Sequence, residues 1–267
     1  MQPTPVEPQP EAARRSVVYE QPLNERMRTF LRVEFLFQQA QYHNATPNAW
    51  SSRAAVASLL EILAITSRGD ARSEVLKELE RQLAVLRDYK ARPGVDTGRL
   101  TAVMTTLTKR RDELGASASN WLSRLRESEF LAAIKHRIAI PGGTCEFDLP
   151  DYFHWLSQPA EVRQDDFNRW LSSIRPFCES IGDLLWVTRE NSRPRREVAV
   201  QGGFQINFER DVPINLLRVM MPADSGLFPE ISASHHRCSI RFLSWTDVDS
   251  RPIQAESDVP FVLTCCS

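Results

Sequence analysis

The periodicity of the apolar residues changes along this chain, and that change limits what it can fold into. Through roughly residues 25–137 they recur every three or four positions, as on one face of a helix. After about residue 197 they alternate with polar residues, as on a strand with one buried face. A chain with segregated helical and strand regions is an α+β protein. The expectation is a mainly helical bundle domain plus a C-terminal antiparallel β-domain.

The helical region has identifiable starts and stops. After a β-prone run at residues 16–20 and Pro22, Asn24 offers an N-cap and Glu25 suits the positive end of a helix. Met27, Phe30, Val33, Phe37 and Ala40 then form one stripe to about Gln41. A second helix is expected over 48–66 with Val56, Leu59, Leu60 and Leu63 inward and Gly69 at its end. Asp70 caps a third, whose Leu76, Leu79, Leu83 and Leu86 follow a heptad-like step suited to a bundle or a subunit interface. Pro93-Gly94 stops it, Asp96 caps a fourth, and more helix with Trp121, Leu122 and Leu125 runs on to Arg137. The segment 138–150, with isoleucines on either side of Ala139 and a Pro141-Gly142-Gly143 turn signal, is expected to form a hairpin. Helix is expected again over 151–190, interrupted near Pro159 and Pro176.

Net charge excludes some partners. With 33 basic and 34 acidic residues the formal charge is −1, so nothing global draws the chain to nucleic acid or anionic lipid. The basic run Arg189, Arg193, Arg195 and Arg196 lacks the interleaved aromatics of a nucleic-acid site. No stretch approaches the roughly 18 uninterrupted apolar residues of a membrane span, so direct membrane insertion is not expected. The proline-rich residues 1–13 do not resemble a signal peptide, and five scattered cysteines do not suggest a disulfide framework. A cytoplasmic protein with reduced thiols is the simplest expectation.

Motifs for chemistry are sparse. His235, His236 and Cys238 suggest metal ligands, but adjacent residues on a strand point to opposite faces, and no C-x-x-C or H-x-x-x-H spacing supports a site. The glycine pairs Gly142-Gly143 and Gly202-Gly203 fit neither phosphate-loop pattern and read as turns. No G-x-S-x-G elbow is present. A regulatory protein or enzyme using Cys and His, dependent on metal or thiol, is the competing class; no cofactor motif is found.

The strand 236–243 is more informative. With period two, Arg237 and Arg241 share a face roughly 13 Å apart, from a rise of about 3.3 Å per residue. Two guanidinium groups so spaced can hold two acidic groups of an extended peptide, and Arg218 on the preceding strand would extend the patch. The plainer alternative is a solvated face paired with acidic side chains. Arg68 and Arg72, near a helix end, are a second candidate, with capping and ordinary surface charge as the alternative.

Seven segments, taken in order, resemble the ZapD family of bacterial cell division proteins. They are YEQPLNERMRTFLRVEFLFQQ at 19–39, RGDARSEVLKELERQ at 68–82, PGVD at 93–96, IPGGTCEFDLP at 140–150, HWL at 154–156, SIRFL at 239–243 and the adjacent cysteines 265–266. The resemblance runs from about residue 16 onward and leaves out the proline-rich residues 1–15, expected to be a disordered tail. It implies a helical dimerisation domain over 22–136 and 151–192, and a β-domain over 16–21, 137–150 and 195–267. It further implies a non-enzymatic homodimer at the midcell division ring that binds the C-terminal tail of the tubulin-like GTPase FtsZ and cross-links its filaments. The family's tail-binding basic positions correspond to Arg237, Arg241 and Arg68. A further basic position, before the IPGG segment, aligns with Glu129 here, and Arg126 one helical turn earlier is the candidate substitute.

Overall fold

In the computed structural model, residues 15–267 are described except 68–69, 91–93, 95, 117–119, 209–212 and 235. The helix-ending role of Gly69 and the strand partner His235 therefore lie outside the described residues, as does nearly all of the proline-rich segment. The described residues form two compact units, one drawn from 1–28 and 188–267 and one drawn from 29–187.

The unit of residues 29–187 is helical. Its elements are α1 (Glu25–Ala45, whose first turn belongs to the other unit), α2 (Ala49–Thr66), α3 (Ala71–Lys90) and α4 (Thr97–Ala116). They continue with α5 (Ser123–Arg126), α6 (Glu129–Ile138), α7 (Pro150–Leu156) and α8 (Ala160–Glu190). Local chemistry sets the starts. The Asn24 Oδ1 accepts from the Met27 amide at 2.8 Å, Asn48 does the same for Ser51 at 2.8 Å, and Asp70 for Ser73 at 3.1 Å. Hydrogen bonding from Ser73 holds the Asp70 carboxyl below the usual carboxylate range. Pro47 follows the end of α1 and separates it from α2.

The longest helix, α8, runs 31 residues and passes through Pro176 without a break. Phe167, Leu171, Ile174, Cys178, Ile181 and Leu185 are all buried on its inner face, at alternating steps of four and three. A proline inside a helix costs about 3 kcal/mol through its lost amide and ring clash. Burial of this stripe, at about 1.5–3 kcal/mol per large apolar side chain, outweighs that cost. The interruption expected at Pro176 is therefore absent, whereas the one near Pro159 separates α7 from α8. On its polar side α8 is tied to α4 by Arg110, which bonds Asp183 at 2.7 Å and Glu179 at 2.6 Å. In α3 the buried stripe is Val75, Leu79, Leu83 and Leu86, with Leu76 only part-buried.

Residues 139–149 contain turns and no strand, and they belong to the helical unit. The expected hairpin is thus corrected. Ile138, Ile140 and Phe147 are exposed, at 47, 48 and 83%, so the apparent alternation buries nothing that a strand pairing would cover. The Pro-Gly-Gly run instead turns the chain back on the end of α6. Gly142 adopts φ 73°, and a side chain at Gly143 would sit 2.6 Å from the Arg137 carbonyl oxygen.

Among the described residues α2 is the one helix long and apolar enough to cross a bilayer by composition. It carries Arg53 and Glu61, and its Val56, Leu59, Ile62 and Leu63 are buried within the protein.

The other unit is a two-sheet sandwich. The strands are β1 (Ser16–Pro22), β2 (Arg195–Ala199), β3 (Gly203–Asn207), β4 (Leu216–Pro222), β5 (Leu227–Ala233), β6 (Arg237–Ser244), β7 (Ile253–Gln254) and β8 (Val259–Cys266). One sheet has the order β1-β4-β8-β2; the other has β3-β6-β5, with β7 also on β6. All these pairings are antiparallel. Leu217, Val219 and Met221 of β4 and Phe261 and Leu263 of β8 meet Cys238, Ile240 and Phe242 of β6 in one core. The rings of Phe242 and Phe261 are 4.9 Å apart. The chain crosses from the first sheet to the second at Gln201-Gly202, where Gly202 takes φ 70° and leaves no room for a side chain against Ala255.

Candidate functional site

The central strand of the second sheet, β6, presents the expected arginines. Cys238, Ile240 and Phe242 are buried against the first sheet, which turns Arg237, Ser239 and Arg241 outward. The flanking strands complete this face in register. Arg237 lies opposite Asn207, Ser239 opposite Gln205 and Ser232, and Arg241 opposite Gly203 and Glu230. The result is a polar face carrying two exposed guanidinium groups.

The two arginines differ in their company. The Arg241 Nε donates to a Glu230 carboxylate oxygen at 2.9 Å, and its Nη2 contacts the same oxygen. Both side chains are more than half exposed, so the pair is worth no more than about 1 kcal/mol. Among the described residues Arg237 makes no ion pair, and its side chain is exposed. This face can therefore offer one guanidinium outright and a second in exchange for Glu230.

Arg218 does not extend the patch. It sits on β4 in the first sheet, opposite Glu20 of β1 and Thr264 of β8. Its Nε donates to Glu20 Oε1 at 2.9 Å. Arg189, near the end of α8, holds the same carboxylate in a fork, at 2.9 and 2.7 Å. One carboxylate between two part-buried guanidinium groups is a structural tie. β5 lies between β4 and β6 in the chain, and β4 and β6 belong to different sheets, which alternation alone cannot reveal.

The helical candidates also separate. Arg72 donates from Nε to the Leu114 carbonyl at 3.0 Å and from Nη2 to the Gly115 carbonyl at 2.9 Å. It thus closes the C-terminal end of α4, which is the capping alternative. Arg68 lies outside the described residues. Arg126 is exposed at the end of α5 and its Nη2 lies 3.5 Å from the Thr66 carbonyl oxygen, at the C-terminal end of α2. Glu129, which the family resemblance aligns with a basic position, is the first residue of α6, beside the Ser128 cap.

Four of the five cysteines, Cys178, Cys238, Cys265 and Cys266, are placed unfavourably for thiol chemistry. Among the described residues no three His, Cys, Asp or Glu side chains gather into a metal-binding group. Burial pushes the Cys238 thiol up to about 11 and raises Cys178, Cys265 and Cys266 as well. Such thiols stay protonated at neutral pH and are poor nucleophiles.

Comparison with known proteins places these features in a family. The model of the family described as "ZapD: Cell division protein" matches residues 31–241. A protein named Cell division protein ZapD from Methylococcus capsulatus (strain ATCC 33009 / NCIMB 11132 / Bath) is 39% identical over 250 residues, covering 94% of this chain and 98% of that protein. One of the same name from Janthinobacterium sp. (strain Marseille) is 37% identical over 251 residues, covering 94% of this chain and 99% of its own length. The match spans both the helical unit and the arginine-bearing β6, and the chain belongs to the ZapD family of cell division proteins.

Proposed function

We propose that this protein is a non-catalytic division factor that binds the C-terminal tail of FtsZ and cross-links FtsZ filaments at midcell, in the cytoplasm. The observation that carries this reading is the outward pair Arg237 and Arg241 on β6. Guanidinium groups keep their charge at all physiological pH values and bind carboxylates in two-pronged fashion. An extended acidic tail laid along β6 meets both.

Cross-linking needs two tail sites per particle. A homodimer supplies them, and once one tail is held the second binding event becomes intramolecular. Modest single contacts then add up to stable bundles. A monomer in sedimentation-velocity ultracentrifugation at micromolar concentration contradicts this bundling mechanism.

The site is tested by titrating the protein against a fluorescent peptide of the FtsZ C-terminal tail. Arg237→Glu combined with Arg241→Glu is expected to weaken binding by at least roughly 100-fold, from two lost charge-assisted contacts of about 1.5–3 kcal/mol each. Unchanged affinity of a folded double variant refutes the assignment.

A further inference from the structure

The outer face of the second sheet does not end at its arginines. Along β6, Arg237, Ser239 and Arg241 are followed on the same side by Leu243, which is 9% exposed although it lies outside the sandwich core. Its cross-strand neighbours are Phe228 on β5 and Gln254 on β7. Leu227 and Ile231 of β5 pack inward on that core, which turns Phe228 outward. Trp245, the residue after β6, brings its ring to Phe228, with centroids 6.5 Å apart. Trp245 and the part-buried Phe228, with Leu243 buried beside them, thus form an apolar shelf in line with the two arginines.

Single exposed apolar residues are normal on any protein surface. Trp245 differs in being 51% exposed and yet held in place, because its indole Nε1 donates to the Ser250 carbonyl at 3.0 Å. A large ring already fixed at the surface loses little freedom when a partner covers it. The charges along the face are also graded. Arg241 precedes the shelf, about 13 Å from Trp245 at about 3.3 Å per residue. The loop that follows Trp245 carries Asp247 and Asp249, both exposed. Carboxylates of a bound peptide are attracted at the arginine end and repelled at the far end. Between the two, the shelf admits an apolar side chain.

We propose that Trp245 and Phe228 form an anchor site continuous with the arginine pair, which takes a bulky apolar side chain of the same acidic peptide. An extended peptide has the same rise as β6, so its apolar residue lies about four positions from the carboxylate held by Arg241. The inference rests on the tail-binding reading above. It makes Trp245 a specificity-determining residue. Arg237 and Arg241 accept acidic segments in general, and the shelf selects those with an apolar residue at the right spacing.

The test uses the full chain and two peptides: the FtsZ C-terminal tail, and a copy with every bulky apolar residue replaced by Ser. Trp245→Ser is expected to weaken binding of the native tail by roughly tenfold, the worth of one covered apolar side chain. It should leave affinity for the Ser-substituted copy, already weak with the parent, unchanged. Trp245→Phe keeps an aromatic ring beside Phe228 and decides the matter if Trp245→Ser does not fold. It should bind the native tail within about twofold of the parent. It should also lose the shift of tryptophan emission to shorter wavelength that covering Trp245 gives the parent. Identical emission changes in parent and Trp245→Phe overturn the proposal. So does a folded Trp245→Ser that binds the native tail as the parent does, or that weakens both peptides equally. If the Arg237→Glu, Arg241→Glu variant fails to bind in those same assays, the tail-binding reading survives that outcome. If the parent protein binds neither peptide, the tail-binding reading falls and this inference with it.

Discussion

Arg241 and Glu230 face each other as a registered cross-strand pair on the outer face of the second sheet, with 2.9 Å between the Arg241 Nε and the carboxylate. Glu230 occupies the place that an incoming carboxylate would take. Because both side chains are exposed, the pair contributes little to folding and exchanges readily. Glu230→Gln removes this competitor. The expected result is a two- to five-fold gain in affinity for the FtsZ tail, with the unfolding free energy changed by less than about 1 kcal/mol. A loss of affinity in the titration would mean that Glu230 itself contacts the partner.

Recognition through exposed charge depends on salt. The screening length falls from about 10 Å at 0.1 M salt to about 3 Å at 1 M. Co-sedimentation of this protein with FtsZ filaments should decline steeply over that range. Binding that is flat or rising across it points to an apolar contact as the dominant one.

Glu20 illustrates a different use of arginine. Its carboxylate binds Arg189 and Arg218 together, tying β1, β4 and the last turn of α8. All three side chains are less than a third exposed, so removing the anion leaves two cations poorly solvated. Glu20→Ala should cost about 1–3 kcal/mol of stability, read by urea denaturation. Arg218→Ala should lower stability by a smaller amount and leave tail affinity unchanged. A several-fold loss of tail binding by folded Arg218→Ala would return Arg218 to the binding site.

The sandwich should weaken in alkali. Cys238 has its thiol pushed up to about 11 by burial, against an ordinary value of 9.0. The folded state therefore holds a proton that the unfolded chain releases between those values. Stability is full below pH 9 and is lost as the pH rises towards 11. Thermal melts of the parent should show a falling midpoint across that window, and Cys238→Val should fall less steeply. Parallel curves for the two proteins would show that Cys238 does not contribute.

Much of this was legible in the sequence because single elements obey local rules. The caps at Asn24 and Asp70 and the outward placement of Arg237 and Arg241 follow from side-chain chemistry and a period of two. What local rules missed was decided by tertiary context. Ile138 and Ile140 have hairpin-like spacing, yet without a facing strand they stay in solvent and the Pro-Gly-Gly run makes a turn after α6. Pro176 breaks helices locally, yet α8 continues because its inner stripe is buried. Arg218 has the right residue type on a strand, but its strand pairs in the other sheet, opposite Glu20.

The most direct measurement compares FtsZ filaments with and without their C-terminal tail. Full-length FtsZ polymerised with this protein should pellet as bundles at low-speed centrifugation, carrying the protein down with it. Tail-less FtsZ should polymerise normally and leave the protein in the supernatant. Equal bundling of tail-less filaments would contradict the proposal that this family member works through the FtsZ tail.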